Sequence, residues 1–423
     1  MRHLPMVTAC ALLISATSTV GRADPPAELD KLLESLESAS ADERPKTLEA
    51  IGDLGSDAKA AIATLSKALD DTSPNTRGAA ATAIGRIGIY DEDAAVRLLE
   101  AFEDDGELFA GGMVCYYAAD ALGKLGPKSA PRLVPRLAAD SLLVKRCAAL
   151  ALGRIGAEAK AAVPALHELA KEDDGATRRV AIYALMAIGP ASAPAMPTLA
   201  KTLRHEDFHT QYWSCRAIGA IGAPAALPAV PTLIELLSTG NPSVKRNAAD
   251  ALGQIGPAAG ERVIAPLVKL LNDKVQPVRR AAVIALGELG PFAKSSTDAI
   301  RAALKVEQFR ARAAAAGALW QVTGEPNPSL EVLLDVLQGK QSPWEAAEAF
   351  GRLGKSGKPA VAKLTELATS ENPETQFFAI ASLAGIGPEA AATLPTLTKL
   401  LDDPAKDLRD FVREAISKIQ PTE

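Results

Sequence analysis

The chain has 423 residues, 48% of them hydrophobic, 23% charged and only 4% aromatic, with a formal net charge of −5. Charge spread evenly among so many apolar residues excludes a disordered chain, and the negative balance excludes a general affinity for nucleic acid. About a fifth of the residues are alanine, the best helix former and a very small one, so the composition suits closely packed helices over a long, shallow core rather than the two or three aromatic-rich domains that ~150 residues per domain would suggest.

The N-terminus reads as an address. Met1-Arg2-His3 is short and basic, Met6 to Ala16 is apolar, and Gly21 and Ala23 place small residues at −3 and −1 of a cleavage before Asp24. This three-part pattern is that of a secretory signal peptide over residues 1–23, so the chain is expected to be exported, to a periplasmic or extracellular location. Cleavage removes Arg2 and Arg22 and no acid, making the mature charge −5 − 2 = −7. Val7-Thr8-Ala9-Cys10 faintly resembles a lipoprotein cleavage box, but Cys10 lies inside the apolar run rather than at its end, which argues against lipidation. Past residue 23 no uninterrupted apolar run approaches the ~20 residues of a membrane span. The mature cysteines, Cys115, Cys147 and Cys215, are an odd number at helix-core positions; they read as small buried hydrophobes and not as a disulfide framework.

From residue 28 onward the chain repeats itself. Glu28–Ser38 forms a polar N-terminal cap, and Ile51–Gly55 and Ile84–Gly88 are the first copies of a motif that continues as Leu122-Gly123-Lys-Leu-Gly126, Leu152–Gly156, Ile218–Gly222, Leu252–Gly256, Leu286–Gly290 and Phe350–Gly354. Degenerate copies stand at Leu185–Gly189, Leu319–Thr323, Leu383–Gly387 and Ile416–Gln420. The second-glycine positions are separated by 30 to 38 residues, mostly 33, which is the mark of a repeat array. Each unit predicts two helices. In Ser243–Ile255, Val244, Ala248, Leu252 and Ile255 recur at helical spacing as one apolar stripe. Gly256 is expected to supply a left-handed cap and Pro257 to stop the helix. The first glycine of each motif lets a neighbouring helix approach closely. The second helix carries Leu and Val in runs such as Val163–Leu169, with a proline recurring at its start (Pro135, Pro164, Pro197, Pro231, Pro266, Pro395). Asp or Asn then opens the turn to the next unit, as at Asp140, Asp273 and Asp403, and Lys406–Lys418 forms the C-terminal cap. Helix pairs at this period stack into an all-α solenoid, one continuous array over residues 24–423.

Lys145–Lys171 (KRCAALALGRIGAEAKAAVPALHELAK) resembles the HEAT-like repeat of phycobilisome lyases and of many bacterial exported repeat proteins, and the resemblance covers roughly residues 28–420. It implies an armadillo-like, right-handed superhelix of about twelve helix pairs, and a non-catalytic scaffold that binds a protein or peptide partner along a concave face. No cofactor is implied. No motif of its own supports bilin-lyase activity.

The sequence also offers two catalytic alternatives. His205-Glu206-Asp207-Phe208-His209 matches the zinc motif H-E-x-x-H, which needs both imidazoles on one helix face. Here the repeat register splits it across a turn, and His167, the other mature histidine, lies one unit earlier; a metal-dependent hydrolase using His205 and His209 is therefore the weaker reading. A hydroxylase of the deoxyhypusine type, whose HEAT-like repeats hold two irons on His-Glu dyads, would place them ten and nine residues before the second glycine. Those positions are Tyr116-Tyr117, Arg146-Cys147, Arg179-Val180, Tyr212-Trp213, Arg246-Asn247 and Arg280-Ala281, none of them His-Glu. A purely structural spacer is the remaining alternative.

Three further patterns bear on function. Arg44, Arg77, Lys145, Arg178, Lys245, Arg279, Arg312 and Arg409 stand eleven residues before the second glycine, either as a phosphate-tracking stripe or, as we prefer, as a structural ladder meeting Asp and free carbonyls at neighbouring helix ends. On the second helices, Lys67, Glu100, Glu168, Lys201, Glu235, Lys269, Asp335, Glu366 and Lys399 alternate in sign, which suits a protein or peptide surface. Finally, the long connection 103–112 and the aromatics Phe109, Tyr116, Tyr117, Tyr212, Trp213, Trp344, Phe377 and Phe378 depart from the repeat. They read as recognition anchors or, with slightly more weight, as packing between repeats.

Overall fold

The computed structural model describes residues 25–108, 111–304, 309–339 and 343–420. The expected signal peptide, its Cys10 and the candidate Phe109 lie outside the described residues. The architecture is an all-α solenoid, and its described residues fall into two compact units that meet in sequence at Ile221 and Gly222. The first contains α1 (Pro25–Ser38), α2 (Arg44–Asp53), α3 (Ile62–Ala68), α4 (Pro74–Ile87), α5 (Glu92–Glu100), α6 (Val114–Lys124), α7 (Ala130–Leu133), α8 (Leu142–Ile155), α9 (Val163–Leu169), α10 (Gly175–Ile188), α11 (Met196–Thr202) and α12 (Phe208–Ile221). The second contains α13 (Val230–Leu236), α14 (Pro242–Ile255), α15 (Ile264–Leu270), α16 (Gln276–Glu288), α17 (Thr297–Ala303), α18 (Phe309–Thr323), α19 (Ser329–Gln338), α20 (Pro343–Leu353), α21 (Val361–Leu367), α22 (Pro373–Ile386), α23 (Leu394–Lys399) and α24 (Lys406–Ile419). From α2 on, even numbers are the first helices of repeats and odd numbers the second helices.

The apolar stripe expected in α14 is buried as a whole: Val244, Ala248 and Leu252 have no exposed surface and Ile255 almost none. A fully buried leucine of this kind contributes about 1.5–3 kcal/mol. Within each unit, successive first helices lie side by side, α2 on α4 and α14 on α16 for example. The first glycine of the motif sets how close they come. A Cβ built on Gly287 would lie 2.9 Å from Cα of Ala318 in the next first helix, and one on Gly52 would lie 2.8 Å from Cα of Ala83. Any larger side chain must push the backbones apart.

Gly88 takes the expected left-handed helical cap (φ 68°, ψ 12°), but the second half of several other repeats differs from the expectation. Gly256 does have positive φ (72°), but its ψ is −158°, outside the left-handed helical cap. Gly156 (φ 73°, ψ −137°) is alike, although alanine and not proline follows it. This region is open essentially to glycine alone, and it aims the chain into a 3-10 turn such as Gly156–Ala162 or Gly290–Ser296. The α-helical second helices are therefore short, seven residues in α9, α11, α13 and α15. In the degenerate copy at Leu319–Thr323, Thr323 stays helical and Gly324 takes the turn (φ 75°), one residue later than the register predicts.

Residues 175–202 and 373–402 have the length and apolarity of a membrane span. Each instead changes direction at a glycine of positive φ, Gly189 or Gly387, into a first and second helix about half buried in the fold. The long connection closes on itself through a bridge between Glu107 and Met113, and Leu108 fills the notch over Gly78, where a Cβ would meet its Cδ2 at 2.4 Å.

Gly287→Val is expected to cost about 1–3 kcal/mol, because the backbone of α18 cannot withdraw without opening the seam. Gly240→Ala, where a Cβ meets nothing within 4 Å, should stay within about 0.5 kcal/mol. Thermal denaturation of the two variants checks the contrast.

Candidate functional site

The basic ladder is consumed inside the molecule. Lys145 Nζ reaches Glu172 at 2.9 Å, Lys245 Nζ reaches Asp273 at 2.8 Å, and Arg44 Nη1 reaches Asp71 at 2.6 Å, each acid lying in the turn that leads to the next first helix. Arg77 grips Asp104 with two nitrogens. Arg178, Arg279 and Arg409 instead donate to backbone carbonyls five and six residues earlier, capping the end of the preceding turn; Arg178 Nη1 bonds the Glu172 carbonyl at 2.7 Å. Arg312 pairs with Asp335 at 3.1 Å. A second rank, ten residues before the glycine, does the same: Arg146 to Asp174 (2.8 Å) and Arg179 to Asp207 (3.2 Å).

These turn carboxylates serve two neighbours at once. Asp174 accepts from the backbone N–H of Thr177 as the cap of α10 while it holds Arg146. Hydrogen bonds from the Thr177 side chain and backbone, assisted by Arg146, hold its carboxyl at about 2. At Asp207 burial pushes upward but is outweighed by the Thr210 hydroxyl, the N–H groups of His209 and Thr210, and Arg179, again leaving it at about 2. Charge paired in this way is not available to track a phosphate backbone.

The His-Glu-x-x-His segment is part of this capping machinery. His205 and Glu206 precede α12, whereas His209 is its second residue. His205 Nδ1 accepts from the Asp207 N–H at 2.9 Å, and Asp207 accepts from the His209 N–H at 3.1 Å, so the motif folds into a turn rather than presenting two imidazoles on one helix. His167 Nε2 contacts Thr198 Oγ1 at 2.8 Å, tying α9 to α11. Among the described residues, no three His, Cys, Asp or Glu side chains cluster as metal ligands.

The aromatic candidates do not converge, and each leans on a structural neighbour. Tyr116 is half-buried, and Tyr117 donates to the Gly111 carbonyl at 3.0 Å. Trp213 meets Tyr183 edge-on at 5.5 Å and Tyr212 at 5.1 Å, with the Arg216 guanidinium 5.0 Å from its ring. Trp344 lies under Arg280 at 5.8 Å, and Phe377 meets Phe378 edge-on and stacks on Phe411 of α24 at 4.1 Å. All of these candidates stand on first helices. Arg280 departs furthest from the ladder: it bypasses α18 to pair with buried Glu345 (3.0 Å) and with Glu348 on α20.

The second helices present the opposite picture. Lys67, Glu100, Glu168, Lys201, Glu235, Lys269, Asp335, Glu366 and Lys399 are all exposed, with both signs interspersed. In the second unit, Ile264, Ala265 and Val268 of α15 line a shallow groove with Glu261, Phe292 and Ser295. Phe292 is 38% exposed. It was legible only as a departure from the small or charged residues that follow Gly-Pro in other units.

Glu288, exposed on α16, places its carboxyl over Gly253 of the preceding first helix.

The family model described as HEAT repeats matches residues 29–109, 113–186, 163–230, 196–287, 230–320, 264–349 and 330–417. No curated protein matches the chain. Among solved structures, importin beta in an ammonium sulfate condition is similar at 16% identity and a TM-score of 0.51, with 93% of this chain and 63% of that one covered. An engineered protein is similar at 22% identity and a TM-score of 0.38, covering 86% of this chain and 99% of its own. At these identities the likeness concerns the fold.

Asp207 gives the turn network a pH signature. Its folded value of about 2 lies below the ordinary 3.8, so its contribution is complete above 3.8 and is lost as pH falls through 2. Asp207→Asn is expected to lower stability at pH 7 by about 1–2 kcal/mol, with the difference from wild type disappearing towards pH 2. Urea denaturation at several pH values measures it.

Proposed function

We propose that this chain, which belongs to the HEAT-repeat family, is a non-catalytic scaffold that binds a protein or peptide partner along the face built from its second helices, taken as the concave one. The observation that carries this reading is the division of polar residues between the two helices of the repeat. First-helix cations and turn carboxylates largely satisfy one another across repeats, whereas the second helices keep exposed charged side chains of both signs, Asp335 being engaged also by Arg312 of the ladder. A mixed-sign surface favours polar complementarity with another protein over attraction to a polyanion. The groove at Ile264, Val268 and Phe292 adds an apolar foothold of the kind that interface cores use. The described first-helix aromatic candidates, all half-buried and engaged with structural neighbours, are assigned mainly to packing.

Crosslinking in a cell-envelope extract, read by mass spectrometry, tests the proposal. Links from Lys67, Lys201, Lys269 and Lys399 to one reproducible partner are expected. Reversing Lys201, Lys269 and Lys399 to Glu should lower recovery about tenfold, while Trp344→Ala should lower stability and leave recovery intact. Failure to recover any reproducible partner would favour the spacer.

We further propose that the chain is exported, on the strength of the basic, apolar and small-residue sequence of residues 1–23. N-terminal sequencing of protein expressed with its own leader is expected to begin at Asp24 in the exported fraction. An uncleaved chain confined to the cytosol would refute this.

A further inference from the structure

In the second unit, α18 stands between α16 and α20 and packs on both. Both seams are tight: a Cβ on Gly287 would lie 2.9 Å from Cα of Ala318, and one on Gly317 would lie 3.1 Å from Cβ of Ala349. Arg280, near the start of α16, nevertheless reaches α20. Its Nε donates to Oε2 of Glu345 at 3.0 Å, its Nη2 donates to Glu348, and its guanidinium lies 5.8 Å from the Trp344 ring. The corresponding position of α18 is Ala313, followed by Ala314, so only methyl groups stand where the long side chain crosses. Glu348 extends the chain to Arg352 Nη1 at 2.6 Å, and the Arg352 carbonyl accepts from Gln321 Nε2 of α18 at 3.2 Å. Glu345 is 1% exposed, so its charge is balanced by partners within the fold and not by water.

We propose that this ionic strap makes the three repeats built on α16, α18 and α20 one cooperative segment that opens as a whole. In a solenoid whose repeats touch only their neighbours, a repeat opens by losing its own two interfaces. Here a second condition applies. Moving α20 off α18 draws buried Glu345 away from its cation on α16, and displacing α18 outward breaks the strap that crosses it. Either motion costs interactions of all three helices, so their openings merge into one. The segment also has a place in the surface described above. α15 leads into α16, and the turn Gly290–Ser296 leaves it, so both walls of the groove at Ile264 and Phe292 stand on the strapped helix. Flexing of the second unit is then left to the repeats on either side of the strap. This inference is independent of any partner and of export.

The test is native-state hydrogen exchange of the full chain in low urea, read by mass spectrometry. Amides in the middle of α16, α18 and α20 are expected to share one opening with a single urea dependence. Arg280→Gln, on α16, and Glu345→Gln, on α20, should each speed exchange in α18 about tenfold, although neither residue belongs to it, and the double variant should be no faster than the faster single one. Arg146→Gln, which breaks a pair in the first unit, should leave all three helices unchanged. Exchange of α18 at a rate of its own in the wild type, additive effects of the two substitutions, or acceleration confined to the helix that carries each substitution would each overturn the proposal. If Glu345→Gln fails to fold, the wild type and Arg280→Gln decide between the same outcomes.

Discussion

Backbone-to-backbone contact between successive first helices is the constraint from which the remaining features follow. A Cβ built on Gly52, Gly85, Gly253 or Gly385 would lie only 2.7–2.9 Å from the Cα of Ala83, Ala121, Ala285 or Gly351 in the neighbouring first helix. Helices this close leave room on their facing sides only for alanine and glycine, while the leucines and isoleucines turn towards the second helices. The high alanine content and scarcity of aromatics are thus one packing rule applied at every repeat.

Close seams also determine where charge can go. The N-terminal ends of the first helices converge with the turns of the following repeat, so cations and carboxylates meet at positions 27 or 28 residues apart. An isolated surface ion pair is worth about 0–1 kcal/mol. These pairs gain from geometry, because the same carboxylate also caps a helix or tightens its turn, as Asp174 and Asp273 do. The interaction joins local helix termination to inter-repeat stacking. It also removes from the surface the charges that most resembled a ligand-binding stripe.

Much of this was legible because it is periodic. The twelve motif positions fall on twelve first helices, and the split of His205 from His209 followed from register alone. What escaped was whatever depends on three-dimensional routing. Nothing in Gly156-Ala157-Glu158 announces a 3-10 turn; the glycine ψ that selects it depends on packing of the second helix that follows. Gly324 moves the turn by one residue because Thr323 extends its helix, its hydroxyl bonding back to the Leu319 carbonyl. Arg280 reaches two first helices ahead, past the alanine-lined α18, and no rule of nearest-neighbour repeats anticipates a partner 65 residues away.

The same distinction explains why the proposed binding surface is harder to read than the fold. A residue that packs a repeat is repeated, and its role can be checked eleven times along one chain. A residue that meets a partner has no obligation to recur. The exposed positions of the second helices do recur in place, but their identity does not: Lys201, Glu235 and Lys269 occupy equivalent sites with opposite charges. Such a surface keeps the scaffold constant while allowing each repeat to be specified separately. Specificity would then arise from the order of charges and from local departures such as Phe292, rather than from one concentrated site. For a molecule of this construction the informative unit is the sequence of differences between repeats, read along the face that internal packing leaves unused.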